Sequence, residues 1–420
     1  MKSILIKQVL CNGTLSDVLI EGEVFSMIDT HIETDAELIV DGKGKAVLPP
    51  FYNGHTHAAM TLLRGYADDL PLFTWLSKYI WPLEAKMTAD DIYWGTKLAV
   101  LEMIKSGTVF FNDMYWHDDA TILAVEEMGV KAAIGMPLIE ATGKKNIDYC
   151  FERLDSLTRQ GALPRNVQVT VAPHAIYTVG ETLFKKCVEY AERKGLVLHT
   201  HLSETQQEVD DCIKKYGMRP VEWLDSLGAL QPNLVAAHVI HVNDKEMDLL
   251  AENKVTLVHN PVSNMKLGSG VFPSATLLDA GCRIALGTDG CSSNNNLDMR
   301  EEMKTAALLA KCHYRRPELL PAETLYRMCN LNCSEAFHLQ SGTIEVGKKA
   351  DALLIDITDE RMVPCHNLIS NWLYSAESSI IDTVICNGDI LMQHRHVHDE
   401  EEILDHAAQC AYNLKNKLKP

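Results

Sequence analysis

The sequence of 420 residues predicts an α/β protein, a (β/α)8 TIM barrel with a small β-sandwich domain formed by the N- and C-terminal flanks. Short apolar runs alternate with amphipathic helical segments through the middle of the chain, which is typical of parallel strands buried on both faces. Eight such units within about 300 residues favour a closed barrel over the alternative, a doubly wound open sheet. Both flanks instead contain short strands separated by tight turns.

The flanks have similar patterns, so we expect them to pack together. Turn signals divide the first 45 residues at Asn12-Gly13, Glu21-Gly22 and Asp41-Gly42. Strand patterns return near the C-terminus at residues 352–356 and 383–388, and the last twenty residues predict a capping helix. The prediction is a composite β-sandwich domain of residues 1–49 and 344–420 around a barrel domain of residues 50–343.

Eight apolar runs are predicted as the barrel strands: Ala46–Pro50, Thr108–Asn112, Lys131–Ile139, Val167–Ala172, Leu196–Thr200, Leu234–Ile240, Val255–His259 and Arg283–Thr288. Amphipathic helical segments are predicted between most of them, at Asp90–Ser106, Ala120–Met128, Glu181–Lys194 and Asp244–Asn253. Each strand is therefore followed by a crossover that returns the chain to the same end of the barrel.

The composition excludes several classes of function. Formal net charge is −18, from 39 basic and 57 acidic residues, and such a surface repels phosphate backbones and anionic lipids. We therefore expect no nucleic-acid or membrane partner. The N-terminal apolar run is broken at Lys7, too early for a signal peptide, and the 12 cysteines show no disulfide framework. A cytoplasmic protein that binds a small molecule is predicted, with a homo-oligomer left open.

Metal-ligating residue types fall where the predicted strands end, which is where such barrels carry their reactive groups. His55 and His57 are two residues apart, so in an extended chain both imidazoles face one side and can bind one ion. His201 ends the fifth strand and Asp289 follows the eighth. His238 lies in the sixth. This nitrogen and oxygen set predicts a divalent metal, with Zn2+ favoured and Fe2+ or Mn2+ as alternatives.

The arrangement resembles the amidohydrolase superfamily over most of the chain, and most closely its 5′-methylthioadenosine/S-adenosylhomocysteine deaminase family. The resemblance is carried by residues 50–57 (PFYNGHTH), 63–72 (LRGYADDLPL), 81–84 (WPLE), 201–205 (HLSET) and 287–290 (GTDG). It implies a metal-dependent hydrolase that deaminates 6-aminopurine nucleosides to the inosine analogue. The substrates implied are methylthioadenosine, S-adenosylhomocysteine, 5′-deoxyadenosine or adenosine.

The chemistry of deamination suggests roles for three residues, and the resemblance implies the same roles. Asp289 is expected to ligate the metal, take a proton from water and pass it to the departing ammonia. His238 is expected to orient the water and stabilise charge. Glu204 lies three residues after His201, and burial can raise its pKa enough to let it protonate purine N1.

The resemblance also implies substrate contacts away from the reacting carbon. Glu84 would accept hydrogen bonds from the two ribose hydroxyls, His174 would contact the nucleoside, and Trp75 would pack near the 5′ substituent. Superfamily members with two metals use a carboxylated lysine on strand four, but residues 146–184 contain no lysine. We therefore expect one metal ion per chain.

The same sequence also fits two alternative functions. A triazine- or guanine-type aminohydrolase or chlorohydrolase would share the mechanism, and a non-catalytic structural barrel would be expected to have lost ligands that are present here. The loop of residues 140–150 contains no arginine, only Lys144 and Lys145, for the carboxylate of S-adenosylhomocysteine. Methylthioadenosine, 5′-deoxyadenosine or adenosine are the better candidates on that ground.

Overall fold

The computed structural model describes residues 2–417 and confirms the predicted fold class. Within that range an eight-stranded parallel sheet curls into a barrel, and a nine-stranded sheet is built from both flanks. The strands in chain order are β1 (Ser3–Cys11), β2 (Thr14–Glu21), β3 (Val24–Asp29), β4 (Leu38–Asp41), β5 (Lys45–Leu48), β6 (Phe51–Thr56), β7 (Thr108–Met114), β8 (Lys131–Leu138), β9 (Val167–Pro173), β10 (Val197–Leu202), β11 (Leu234–His238), β12 (Thr256–His259), β13 (Arg283–Leu286), β14 (Ala352–Asp356), β15 (Ile381–Cys386), β16 (Asp389–Gln393) and β17 (His396–Val397).

Helices connect the barrel strands and cap the molecule. They are α1 (Leu72–Trp75), α2 (Trp81–Glu84), α3 (Ala89–Lys105), α4 (Asp118–Met128), α5 (Lys144–Leu157), α6 (Glu181–Lys194), α7 (Gln206–Tyr216), α8 (Pro220–Ser226), α9 (Asp244–Glu252), α10 (Pro261–Lys266), α11 (Ser274–Asp279), α12 (Met299–Tyr314), α13 (Ala322–Cys329), α14 (Leu331–Ala336), α15 (Leu368–Tyr374) and α16 (Glu400–Asn416). A π-helical turn, Leu76–Ile80, joins α1 to α2. None of the helices within residues 2–417 is long and apolar enough to cross a membrane.

The flank sheet joins the two ends of the chain. Strand β5 pairs with β1 on one side and antiparallel with β14 on the other. Strand β1 is irregular near Gln8, whose φ is +57°, so its first half pairs with β4 and its second half with β5. Apolar side chains from both halves of the sheet, including Ile6, Phe25 and Leu354, pack in one cluster. The two halves of the sheet therefore share one hydrophobic core, while the domain limits drawn from the sequence stay a prediction.

The predicted first barrel strand is wrong. Residues 45–48 form β5 of the flank sheet, and the barrel begins with β6 at Phe51. The apolar run continues through both strands, so periodicity alone does not divide it. Pro49 and Pro50 separate them, because proline cannot donate to a strand ladder.

The barrel closes where its first and last strands meet. The Asn53 side chain accepts the N–H of Thr288 (3.1 Å) and donates to the Thr288 hydroxyl (2.7 Å). The N–H of Asp289 donates to the carbonyl of His55 (3.0 Å). Gly287 permits this approach, because a Cβ there would lie 2.9 Å from the His55 nitrogen. We call these contacts among Asn53, His55, Gly287, Thr288 and Asp289 the closing seam.

Asn53→Ala is expected to lower both stability and metal affinity. The buried N–H of Thr288 would lose its acceptor, which costs about 2 kcal/mol of unfolding free energy. Urea unfolding of metal-free protein and a metal titration measure the two effects. Asn233→Ala is the matched control, because that amide bonds the Leu196 carbonyl (2.7 Å) where β11 begins, at the far end of the barrel. Equal metal affinity in the two variants would contradict the prediction.

Candidate metal and substrate site

Five of the predicted site residues meet at the carboxyl ends of the barrel strands, and we call them the ligand cluster: His55, His57, His201, His238 and Asp289. Oδ1 of Asp289 lies 3.4 Å from Nε2 of His55 and 3.3 Å from Nε2 of His57. Nε2 of His201 lies 3.4 Å from that of His57. One ligand atom from each of His55, His201 and His238 falls within 4.8 Å of the others.

Hydrogen bonds outside the cluster orient its imidazoles. Nδ1 of His57 donates to the Met114 carbonyl (2.8 Å), and Nδ1 of His201 donates to the His174 carbonyl (2.7 Å). A carbonyl oxygen only accepts, so in both rings the proton lies on Nδ1. The lone pair of each Nε2 therefore points into the cluster, as metal ligation requires.

His55 is the most enclosed member of the cluster. Its Nε2 is buried and has no hydrogen bond of standard geometry to any residue in the range 2–417. Its Nδ1 lies 2.9 Å from Nε2 of the buried His199, a contact that orients the His55 ring. Burial lowers the pKa of His55 to about 4 and holds that of His201 well below its usual value. Both rings are therefore neutral, the form that binds a metal.

Asp289 is held on both of its oxygens. Oδ1 faces the histidines and accepts the N–H of Gly290 (2.9 Å). Oδ2 accepts the hydroxyls of Ser263 (2.6 Å) and Ser293 (2.9 Å). Burial raises the pKa of Asp289, but the neighbouring imidazoles of His55, His57 and His238 together outweigh it and keep the pKa well below its usual range. The carboxylate is therefore ionised and aimed at the histidines.

The donor set fits a divalent metal. Imidazole nitrogens and one carboxylate oxygen converge in a buried space, and Nε2 of His55 has no hydrogen-bond partner among the described residues. This mixture of nitrogen and oxygen ligands suits zinc. Left-handed backbone at His238 (φ +73°) and Asp289 (φ +60°) turns two strand ends towards the same point.

His238, a member of the cluster, and Glu204, which lies beside it, both have raised pKa values. Nδ1 of His238 is 2.8 Å from the Asn264 side-chain oxygen. Burial lowers the pKa of His238, but Glu204 and Asp289 outweigh it, so the net shift is upward. Burial raises the pKa of Glu204, whose Oε1 accepts the Ser269 hydroxyl at 3.4 Å. Glu204 is therefore disposed to carry a proton and His238 to carry positive charge.

A cavity above the ligand cluster collects the other predicted residues. Its floor and walls include His57, His201, Glu204, His238, Asp289, Trp75, Glu84, His174, Tyr115 and Tyr177. Apart from His55, which lies beneath the floor, every site residue predicted from the sequence lines this cavity.

Glu84 and His174 stand on the wall of the cavity. Burial raises the pKa of Glu84, and the nearby Tyr115 hydroxyl opposes the shift. Nδ1 of His174 is 3.0 Å from the hydroxyl of Thr178, which itself donates to the Ala175 carbonyl. His174 therefore donates through Nδ1 and keeps its Nε2 lone pair. Burial lowers the pKa of His174 to about 3, so its ring is neutral.

Lys144 and Lys145 lie outside this cavity. Lys144 pairs with Asp148 (2.6 Å), and its side chain is 86% exposed. Beyond Glu84 the cavity continues into a chamber of about 560 Å³, whose lining is mostly apolar: Trp81, Met87, Trp116, Met136, Pro137, Ile139 and Cys150. Asp118 also lines the chamber and is paired with Arg153 (2.8 Å).

Several contacts of the site escaped the sequence analysis. Ser263 and Ser293 hold Asp289, Asn264 holds His238, and Tyr115 faces Glu84. None of the four lies in a motif of its own. A polar residue near the end of a strand is the one signal that applies, and it fits Tyr115, which directly follows β7 and lies three residues after the predicted strand end at Asn112.

Comparison with known proteins gives concordant results. The model of the amidohydrolase family matches residues 46–391. The 5′-deoxyadenosine deaminase of Methanospirillum hungatei is 47% identical over 386 residues, which cover 91% of this chain and 86% of that protein. The 5-methylthioadenosine/S-adenosylhomocysteine deaminase of Thermococcus sibiricus is 43% identical over 384 residues, covering 90% and 89%.

Solved structures share the whole fold. An adenosine deaminase from Xanthomonas campestris with bound zinc has a TM-score of 0.93 at 33% identity, covering 99% of this chain and 98% of that one. A triazine hydrolase variant has a TM-score of 0.91 at 21% identity, covering 98% of this chain and 100% of that one. The second likeness concerns the fold alone.

His57→Ala is expected to remove most of the bound zinc, because it deletes one imidazole of the cluster. Elemental analysis of zinc-loaded protein measures this, with about one ion per chain in the wild type. His259→Ala is the matched control, because His259 is buried at the end of β12 and stacks on Phe272 instead. Two ions in the wild type would contradict the single-metal expectation.

Proposed function

Since the chain belongs to the amidohydrolase family, we propose that it is a metal-dependent hydrolase that deaminates 6-aminopurine nucleosides. Water replaces the exocyclic amine at purine C6, giving the inosine analogue and one ammonia. The relatives named as deaminases of 5′-deoxyadenosine and of methylthioadenosine and S-adenosylhomocysteine support this reaction. A cytoplasmic location stays a prediction.

The observation that carries the proposal is the composition of one cavity. Four of the five cluster residues line this space together with the carboxyl groups of Glu204 and Glu84, and His55 lies directly beneath. A carboxyl group that holds a proton suits the ring nitrogen N1, which gains a proton as C6 is attacked. A second carboxylate suits a vicinal diol, because it offers two acceptor oxygens. An amino-purine joined to a ribose needs both.

The metal is proposed to be a single zinc ion held by His55, His57, His201 and Asp289. Such an ion lowers the pKa of water from about 15.7 to about 7 and so supplies a nucleophile at neutral pH. The known metal dependence of the family and the zinc in the Xanthomonas relative support this choice.

Proton movement is assigned to three side chains. Asp289 is ionised, so it can take the proton of the attacking water and deliver it to the leaving amine. His238 favours its protonated form and stabilises the charge that develops beside C6. Glu204 protonates N1 from its neutral form.

The ribose and the 5′ substituent of the substrate are assigned to residues on the cavity wall. Glu84 accepts hydrogen bonds from the ribose hydroxyls, the Nε2 lone pair of His174 faces the nucleoside, and Trp75 packs near the 5′ group. The chamber past Glu84 is mostly apolar, and Lys144 is committed to Asp148 on the surface. We therefore favour methylthioadenosine, 5′-deoxyadenosine and adenosine over S-adenosylhomocysteine.

The proposal is tested by ammonia release from zinc-loaded protein. The panel contains methylthioadenosine, 5′-deoxyadenosine, adenosine, S-adenosylhomocysteine, guanine and an aminotriazine. Deamination of the first three, with S-adenosylhomocysteine slower, is expected. If only guanine or the triazine releases ammonia, the site is hydrolytic but the proposed substrate is wrong. If the zinc-loaded protein releases no ammonia from any compound, a non-catalytic barrel is favoured.

Glu204→Gln is expected to keep its zinc and to lose about 10²- to 10⁴-fold in kcat, because an amide cannot supply the N1 proton. In the wild type, activity depends on the protonated carboxyl, so it falls as pH rises through the raised pKa of Glu204. The exposed Glu181→Gln is the control. Near-wild-type turnover of Glu204→Gln would remove the proton-donor role.

Glu84→Gln is expected to erase the preference for a ribose diol. Loss of hydrogen bonds to a charged acceptor costs roughly 1.5 to 3 kcal/mol, so KM for adenosine rises by at least about tenfold. KM for 2′,3′-dideoxyadenosine, which has no diol, stays unchanged. Steady-state kinetics on the two substrates make the comparison within each enzyme, and an equal rise for both would contradict the assignment.

A further inference from the structure

The turn that carries Glu204 is held by a second buried carboxylate. Glu208 lies in the first turn of α7, four residues after Glu204, and it is almost completely buried. Its Oε1 accepts the N–H of Ser203 (2.9 Å) and its Oε2 accepts the N–H of Glu204 (2.8 Å). Ser203 adopts left-handed backbone, with φ of +50°, where the chain turns out of β10.

A simple helix cap does not account for this contact. Thr205-Gln-Gln-Glu208 has the pattern of a capping box, in which the glutamate reaches back to the N–H of the capping residue. The Thr205 hydroxyl does accept the N–H of Glu208 (3.2 Å). The Glu208 carboxylate, however, passes over Thr205 and binds the two preceding N–H groups.

Helix α9 shows the ordinary use of the same pattern. It follows the next barrel strand, and its Glu246 is also fully buried. Glu246 accepts the N–H of Asn243, the capping residue itself (3.0 Å), as well as the N–H of Val221 (3.2 Å). Glu246 also pairs with Arg219 (2.6 Å). The two glutamates are therefore alike in burial, and they differ in this ion pair and in which backbone they hold.

We propose that Glu208 is a positioning residue, which fixes the strand-to-helix turn so that the Glu204 carboxyl is presented to the substrate. This inference rests on the proposed function, because it assigns Glu208 a catalytic effect that acts through Glu204. Two N–H groups bound to one rigid carboxylate fix the backbone on both sides of the left-handed Ser203. Without them, the turn that sets the direction of Glu204 would lose two hydrogen bonds to the Glu208 carboxyl group.

Glu208→Gln is the decisive variant. It keeps the side-chain volume but sets an amide NH2 against one of the two backbone N–H groups, so one hydrogen bond is lost. With the best nucleoside of the panel, kcat is expected to fall about 10- to 100-fold at unchanged zinc content. The matched control Glu246→Gln is expected to lower the melting temperature while kcat stays within about twofold of wild type.

A double-mutant cycle separates positioning from general structural damage. If Glu208 acts through Glu204, adding Glu208→Gln to Glu204→Gln lowers the residual rate by less than about twofold. If Glu208→Gln does not yield zinc-loaded protein, Glu208→Asp takes its place in the cycle. The shorter side chain keeps the carboxyl group but reaches only one N–H group, and its addition to Glu204→Gln is likewise expected to lower the residual rate by less than about twofold.

The outcomes are distinct from those that test the proposed function. A wild-type enzyme that deaminates no nucleoside overturns the proposed function itself. An active wild type with Glu208→Gln within twofold of its kcat overturns the positioning role alone. The positioning role is also overturned if the losses in kcat from Glu204→Gln and Glu208→Gln add fully in the double variant. It is overturned as well if Glu246→Gln loses as much kcat as Glu208→Gln.

Discussion

The site depends on the closing seam, which joins residues more than 230 positions apart. Asn53 and Thr288 align β6 with the chain leaving β13, and the N–H of Asp289 is bonded to the carbonyl of His55. The same backbone contact that closes the barrel therefore brings Asp289 beside His55 and His57, with which it is proposed to hold the metal. Gly287 has no side chain, so its backbone can approach the backbone of His55 closely. The separation of Asp289 from His55 and His57 is therefore set by backbone contacts.

The surroundings of each ionisable side chain in the site determine the direction in which its pKa is shifted. Asp289 is surrounded by imidazoles and serine hydroxyls, which stabilise its ionised form. Glu204 is also buried, and there the cost of burial outweighs the neighbouring imidazoles, so its pKa is raised. Two carboxyl groups in one cavity thus have pKa values shifted in opposite directions. The histidines follow the same rule, since His238 next to two carboxyl groups gains basicity while enclosed His174 loses it.

Much of this was predictable from local sequence, and the rest was not. The i, i+2 spacing of His55 and His57 and the position of His201 and Asp289 at strand ends follow from backbone geometry, so the structure could bring them together as expected. Strand β5 was misassigned because one apolar run serves two sheets. The hydroxyls that hold Asp289 and the unusual reach of Glu208 depend on tertiary placement, and no spacing rule encodes them.

The flank sheet has a consequence for synthesis of the chain. Strand β5 lies between β1 and β14, and β14 begins about 300 residues later. While a ribosome makes the barrel, one edge of β5 has no partner, and only the arrival of the C-terminal flank covers it. Such an edge can pair with another nascent chain. The last sixth of the protein, which begins with β14, therefore determines when this edge of a newly made molecule is protected from pairing with other chains.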